Sequence, residues 1–182
     1  MKKLFIILLS LLSLLTVPVY TSAAPVMLSM YGGPGFAVGI VHKSELDNLR
    51  EEMKHFALDV GCEPTNNDAI TGAFNNYMAD HPVNGPRPSA EWLQGLGKAV
   101  GADYVTLFYS DISGLHAGSF FHTSPKMTVH TDMRIVKTST AETVFTCQAP
   151  EREGKREEVL NSVPDLIAKA KSDMKQKRIA LS

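Results

Sequence analysis

The sequence predicts a single α/β or α+β domain of three layers, in which an open mixed sheet of about four to five strands is flanked by helices. Three observations carry this prediction. Residues 103–109 are almost continuously apolar and β-prone, residues 126–137 alternate apolar and polar side chains, and helical periodicities stand before and after both segments. A chain of 182 residues has room for one such domain with its own core.

The N-terminus predicts a signal peptide over residues 1–23. Two lysines are followed by an apolar run over 4–15, which is too short to span a membrane, and small residues lead to Ala23. We expect cleavage after Ala23. Because no cysteine stands near that position to accept a lipid, the product is expected to be periplasmic or secreted, without a lipid anchor.

The mature domain is then expected to comprise residues 24–182. Loss of the two N-terminal lysines moves the formal net charge from −1 to −3. This balance carries no signature of nucleic-acid or membrane-surface binding, and no later segment is apolar enough to span a membrane. The composition therefore predicts an extracytoplasmic domain and leaves its oligomeric state and its partner open.

The first elements follow from apolar runs and glycines. Residues 26–31 and 36–41 are apolar runs separated by a glycine-rich turn, which predicts strand, turn and strand. Apolar residues then recur at spacings of three and four up to Val60, which predicts a helix that Ser44 caps and Gly61 ends.

Two further helices are predicted before the central strand. The first covers 68–78 and is expected to bury Ile70, Phe74, Tyr77 and Met78. A proline-rich loop follows, and Ser89 then caps a helix that Gly101 ends.

The remaining elements complete the sheet and close the domain. The uninterrupted apolar character of 103–109 predicts a strand buried on both faces in the middle of the sheet. The alternation over 126–137 predicts one dry and one wet face, and a turn over 138–141 returns the chain as an antiparallel hairpin. Because proline is tolerated only in the first turn of a helix, Pro164 places the start of the C-terminal helix at Ser162.

The order of these elements resembles a known superfamily. A helix that ends in Gly101-Ala102-Asp103-Tyr104-Val105, followed by a long alternating strand, a short turn, a second strand and a closing helix, resembles the curli-secretion protein, penicillin-binding-protein activator and TolB N-terminal superfamily. The resemblance covers residues 36–177. It implies an open sheet flanked by helices and a role in envelope assembly or partner binding without catalysis.

Two segments are candidates for binding a protein or envelope component. The connection over 111–125 carries Phe120 and Phe121 among glycines and serines, and aromatic side chains on loops can anchor interfaces. The alternative is that these rings cover an edge of the core. The C-terminal helix carries a basic stripe formed by Lys169, Lys171 and Lys175, which is either a binding surface or a solvated face favoured by the helix dipole.

A metal site is the alternative function. His116, His122 and His130 could converge on Zn or Cu, with Met127 or Met133 as soft ligands for Cu(I). Their spacing matches no standard motif, and the methionines are expected on the opposite face of the strand from His130. Solvated histidines are the other interpretation.

The two cysteines also leave two interpretations. A disulfide between Cys62 and Cys147 is permitted by export and would contribute about 4 to 5 kcal/mol in the loop-entropy model. The alternative is a pair of buried thiols. No hydrolase motif is present, so a hydrolase is the least favoured function. We therefore expect a non-enzyme without a cofactor.

Overall fold

The computed structural model describes residues 23–33, 43–116, 126–154 and 162–181. Residues 1–22 of the predicted signal peptide and the predicted strand over 36–41 lie outside these ranges. Among the described residues, no helix is long and apolar enough to span a membrane. The elements in chain order are β1 (Val26–Gly32), α1 (Lys43–Asp59), β2 (Glu63–Pro64), α2 (Asn67–Asp80), α3 (Ala90–Val100), β3 (Tyr104–His116), β4 (Lys126–Lys137), β5 (Thr143–Gln148), β6 (Arg152–Gly154) and α4 (Ser162–Gln176).

The strands form one mixed sheet in the order β2-β1-β3-β4-β5, and β6 pairs with β4 beyond the end of β5. Strands β2, β1 and β3 are parallel, whereas β3, β4 and β5 are antiparallel. All residues of β3 from Tyr104 to Ser110 are buried. The predicted open mixed sheet and its central, doubly buried strand are therefore confirmed.

Helices cover both faces of the sheet and bury two apolar clusters. Helices α1 and α4 lie on one face, where the rings of Phe56 and Phe108 meet edge to face with their centroids 5.8 Å apart. Helices α2 and α3 lie on the other face, where α3 comes so close that a Cβ on Gly97 would lie 2.4 Å from Thr138 Oγ1. The second cluster includes Leu28, Leu93, Leu96, Val105 and Val136.

The helix ends follow local chemistry that the sequence predicts. Ser89 Oγ accepts a hydrogen bond from the Trp92 N–H at 3.1 Å at the start of α3. Gly101 ends that helix in the left-handed conformation with φ 73°, and Gly61 follows α1 with φ 84°. Helix α4 starts at Ser162, as Pro164 predicts.

The structure differs from the sequence prediction in four places. Helix α1 begins at Lys43, so Ser44 lies within the helix and is not its N-cap. Met78 is 37% exposed, because α2 packs on α3 as an outer helix that buries none of its residues fully. Strand β3 continues to His116, whereas a loop is predicted from Asp111; pairing with β4 outweighs the weak strand propensity of the serines and glycine in this segment. The charged segment after residue 150 contains β6, which pairs with β4.

Candidate functional site

One half of the sheet face on the α3 side carries exposed polar side chains. Val136 is buried against α3, but the side chain of His130, six residues earlier on the same strand face, is 49% exposed. Strand β5 extends this surface, because Gln148 pairs with Asp132 and Thr146 pairs with Arg134. We call this surface the polar platform; its residues are Thr128, His130, Asp132, Arg134, Thr146 and Gln148.

The proline-rich loop before α3 is fastened to the polar platform. The Tyr109 hydroxyl donates a hydrogen bond to the Pro86 carbonyl at 2.7 Å, and Arg134 donates to the Pro88 carbonyl. Between these two contacts, Arg87 forms an ion pair with Asp132, and its guanidinium carbon lies 4.4 Å from the centroid of the Tyr109 ring. The charged groups of the platform are therefore held in fixed positions.

The electrostatics of the platform are set by two neighbouring arginines. Burial is the main cause that lowers the pKa of Arg134; Asp132 opposes this effect and Arg87 adds to it. An arginine with a lowered pKa still carries its proton at neutral pH. The platform and the loop fastened to it thus together present the permanent cations Arg134 and Arg87 and the carboxylate of Asp132.

A depression of about 630 Å³ lies at the rim of the platform and is lined by residues from both faces of β5. On the opposite side of β5, Lys169 Nζ lies 2.7 Å from Asp173 Oδ2 and 3.5 Å from Cys147 Sγ. The Cys147 thiol is buried, and burial is the main cause that raises its pKa. A thiol with a raised pKa is a poor nucleophile, so the arrangement favours recognition of charged groups over covalent chemistry.

Of the three predicted metal-ligating histidines, the structure describes the side chain of His130. His130 Nδ1 lies 3.8 Å from the Glu151 carboxylate on the exposed platform, and His116 ends β3. His122 lies outside the described residues, as do Phe120 and Phe121. Within the described ranges, no group of three or more His, Cys, Asp or Glu side chains is placed to hold a metal ion.

The predicted basic stripe on α4 is partly neutralised. Lys169 forms an ion pair with Asp173 at 2.7 Å, and Lys171 forms one with Asp59 on α1. Hydrogen bonds from these lysines are the main cause that lowers the pKa of both carboxyl groups. Lys175 is exposed near the end of the helix. The stripe is therefore a weaker cationic surface than the sequence indicates.

Both cysteines are free and buried, which is the second of the two interpretations left open by the sequence. Cys62 directly precedes β2, whereas Cys147 lies in β5 at the opposite edge of the sheet. Burial, assisted by the charge of Asp103, raises the pKa of Cys62 to about 11. The separation of the two edges explains why no bridge joins these residues.

The sequence did not reveal the roles of Arg87 and Tyr109. The alternation along β4 correctly predicts that Asp132 and Arg134 lie on the wet face. However, Arg87 belongs to a proline-rich loop 45 residues before Asp132, and Tyr109 belongs to a strand predicted to be buried on both faces. No local pattern connects segments that only the fold brings together.

Comparison with known proteins gives partial structural likenesses. No family model and no curated protein sequence matches the chain. The C-terminal domain of LpoB from Salmonella enterica is 15% identical, with 80% of this chain and 93% of that chain covered and a TM-score of 0.40.

Two further solved structures show likenesses of the same extent. A lipoprotein from Neisseria meningitidis is 15% identical, with coverage of 86% of this chain and 98% of that chain and a TM-score of 0.39. The PelC dodecamer from Paraburkholderia phytofirmans is 12% identical, with coverage of 81% and 85% and a TM-score of 0.37.

Proposed function

We propose that this chain is a non-catalytic extracytoplasmic module that binds a protein of the cell envelope through the polar platform. The observation that carries the proposal is the network of Arg87, Asp132 and Arg134 over Tyr109. Its side chains are exposed or half-buried, and yet they are already fixed by contacts within the domain. Because fixed side chains lose little entropy when a partner binds, such a surface is suited to recognition.

The residue types of this network also favour a protein partner. Arginine is enriched at protein interfaces, where its side chain supplies both apolar area and directed hydrogen bonds. Thr146 and Gln148 add exposed hydrogen-bonding groups beside the two arginines. A partner with carboxylates and apolar groups at matching positions fits this surface.

The distal part of the β3–β4 hairpin, which β6 flanks along 127–129, extends the proposed interface. Strand β1 pairs with β3 only as far as Tyr109, and β5 pairs with β4 only as far as Asp132. The hairpin continues beyond these residues to the pair His116 and Lys126, a length of about 20 Å at 3.3 Å per residue. Phe120 and Phe121 follow in the connecting sequence, and we include them as proposed partner anchors.

Potential nucleophiles of the described residues support binding rather than catalysis. The hydroxyls of Ser110, Thr131 and Ser162 form one buried chain, with oxygen separations of 3.0 Å and 2.8 Å. Burial raises the pKa of Cys147. The three hydroxyls stabilise the interior, and the raised pKa keeps the Cys147 thiol protonated at neutral pH although Lys169 and Asp173 lie beside it.

Site-specific photo-crosslinking tests the proposal in the native envelope. A photoreactive amino acid at Gln148 is expected to give a discrete adduct with one envelope protein, and Arg87→Glu is expected to abolish that adduct while the fold is retained. The matched controls are a crosslinker at Thr140, in the exposed β4–β5 turn, and Lys98→Glu on α3. Equal adducts from Thr140, or an adduct that survives Arg87→Glu and not Lys98→Glu, would contradict the proposal.

A further inference from the structure

A groove follows the outer edge of β1 at the side of the sheet opposite the polar platform. Its volume is about 920 Å³, and we call it the edge groove. The floor is β1 from Leu28 to Tyr31; one wall is α1 over 47–54, and the other wall is formed by residues 65–75, which enter and include α2. Since the two helices cover opposite faces of the sheet, the groove is a slot in the plane of the sheet itself.

Strand β2 fills only the beginning of this slot. It pairs with β1 at Val26 and Met27, and the last hydrogen bond runs from the Thr65 N–H to the Met27 carbonyl at 3.0 Å. On the other side of β1, the Val26 carbonyl accepts a hydrogen bond from the Asp103 N–H at 2.8 Å. Because backbone groups alternate in direction along a strand, the N–H and carbonyl of Ser29 face the groove.

Ser29 leaves hydrogen-bonding capacity at the floor of the groove. Among the described residues, no strand pairs with Ser29 on its outer side. Its hydroxyl oxygen is also buried without a hydrogen-bond partner there. Unpaired strand edges bind extended polypeptides, and buried polar groups without partners are costly. The floor therefore offers unpaired main-chain groups with which a further strand can pair.

The charged residues in the groove walls indicate which charge an occupant can carry. Asp47 and Arg50 form an ion pair at 3.0 Å, and Glu51 and Lys54 form another at 2.6 Å, so four of the charges on α1 cancel. Asp68 leaves the lining with a slight negative excess. The rest of the lining is apolar, amide-bearing or hydroxyl-bearing and includes Leu49, Ile70, Phe74, Asn48, Asn66, Asn75, Thr65 and Thr71.

We propose that the edge groove binds an extended, uncharged or weakly basic polypeptide segment of a partner protein, which adds a strand to the outer edge of β1. Such β-augmentation draws affinity from main-chain hydrogen bonds and specificity from alternate side chains. A β1 edge in a second copy of this chain is itself flanked by helices, so two such edges cannot approach to the strand spacing of about 4.8 Å. A single extended segment fits between α1 and α2.

Binding of defined peptides to the isotope-labelled mature protein tests this proposal. The probes are capped seven-residue peptides in which threonine alternates with valine, leucine or phenylalanine, each with one terminal lysine. At least one probe is expected to bind saturably and to slow hydrogen exchange of the Ser29 amide. The same probe, N-methylated at every second residue so that it cannot donate to β1, is expected to bind at least tenfold more weakly.

Two variants and a matched control connect the binding to the groove. Ser29→Pro removes the outward N–H, and Asn75→Trp fills the groove from the exposed face of α2 without altering β1. Either variant is expected to weaken the probe at least tenfold, while Thr146→Pro, at an outward position of β5, leaves binding unchanged. No binding by any probe, equal binding of the methylated probes, or no loss in both groove variants would overturn the proposal.

This proposal concerns a different edge of the sheet from the polar platform. Photo-crosslinking at Gln148 and peptide binding at Ser29 are independent measurements. Failure at one surface leaves the other proposal standing.

Discussion

The two outer edges of the described sheet are flanked by different side chains. At the β5 edge, Lys177 Nζ lies 5.9 Å from the centroid of the Phe145 ring, and Lys169 lies beside Cys147. At the β1 edge, the backbone of Ser29 forms the floor of a slot with paired charges and apolar groups in its walls. Lysines beside an edge strand disfavour the addition of another strand. Among the described residues, lysine side chains thus flank the β5 edge, which we call the guarded edge, whereas the β1 edge is open between α1 and α2.

The largest expected effect comes from truncating Phe56, which supports the α1 wall of the edge groove. Phe56 is fully buried and holds α1 against the Phe108 ring. Phe56→Ala is expected to lower the free energy of unfolding by about 3 to 5 kcal/mol and to abolish peptide binding in the edge groove. Chemical denaturation measures the loss of stability.

Phe145→Ala is the matched substitution at the guarded edge. We expect a smaller loss, because a cavity at an edge strand can collapse or admit water more easily than one between α1 and the centre of the sheet. An equal or larger loss for Phe145→Ala would contradict this difference between the edges.

Removing the two lysines beside β5 tests the same comparison at the guarded edge. The double substitution Lys169→Ala and Lys177→Ala is expected to make the β5 edge prone to self-association, since the cations no longer oppose strand pairing. Sedimentation velocity over a range of protein concentrations detects the dimer or larger species. The double substitution Lys98→Ala and Lys175→Ala removes the same charge and is expected to leave a monomeric protein monomeric. Identical behaviour of the two variants would argue against a guarding role.

The reactivity of the two cysteine thiols is also expected to differ between the two edges, by a smaller effect than the substitutions cause. Burial raises the pKa of both, but Lys169 opposes the rise for Cys147, whereas Asp103 adds to the rise that brings Cys62 to about 11. At pH 8 to 9 a thiol reagent is therefore expected to modify Cys147 faster than Cys62. Mass spectrometry of each modified peptide measures the two rates. Faster modification of Cys62 would contradict these environments.

The raised pKa of Cys62 also predicts a pH dependence of stability. A thiol whose pKa is higher in the folded than in the unfolded state favours folding while it stays protonated. This contribution is complete below the unfolded pKa of about 9 and is lost as the pH rises towards 11. The melting temperature is therefore expected to fall over this range, and Cys62→Ala is expected to reduce the fall. A fall of equal size in Cys62→Ala would contradict the assignment to this thiol.

Local patterns were sufficient for most of the fold. The uninterrupted apolar run placed β3 in the centre, the alternation along β4 identified its wet face, and Ser89 and Gly101 marked the ends of α3. These predictions succeeded because each rests on contacts within one element or between neighbouring residues. The predicted burial of Met78 was wrong because helical periodicity does not distinguish an inner helix from an outer one.

The candidate sites could not be predicted to the same degree. The Arg87–Asp132 ion pair joins residues 45 positions apart, and the edge groove arises from the shortness of β2, which pairs at two residues only. Neither feature has a signature in composition or spacing. The sequence prediction placed the interface on Phe120, Phe121 and the basic stripe, whereas the structure shows two lysines of that stripe in ion pairs.

Amide hydrogen exchange at Ser29 and Thr146 tests the central distinction most directly. Both N–H groups face the outer side of an edge strand, so both are expected to exchange rapidly in the free protein. When the alternating threonine peptides are added, Ser29 is expected to become protected while Thr146 continues to exchange at its original rate. Protection of Thr146 instead, or of neither amide, would contradict the account of an open β1 edge and a guarded β5 edge.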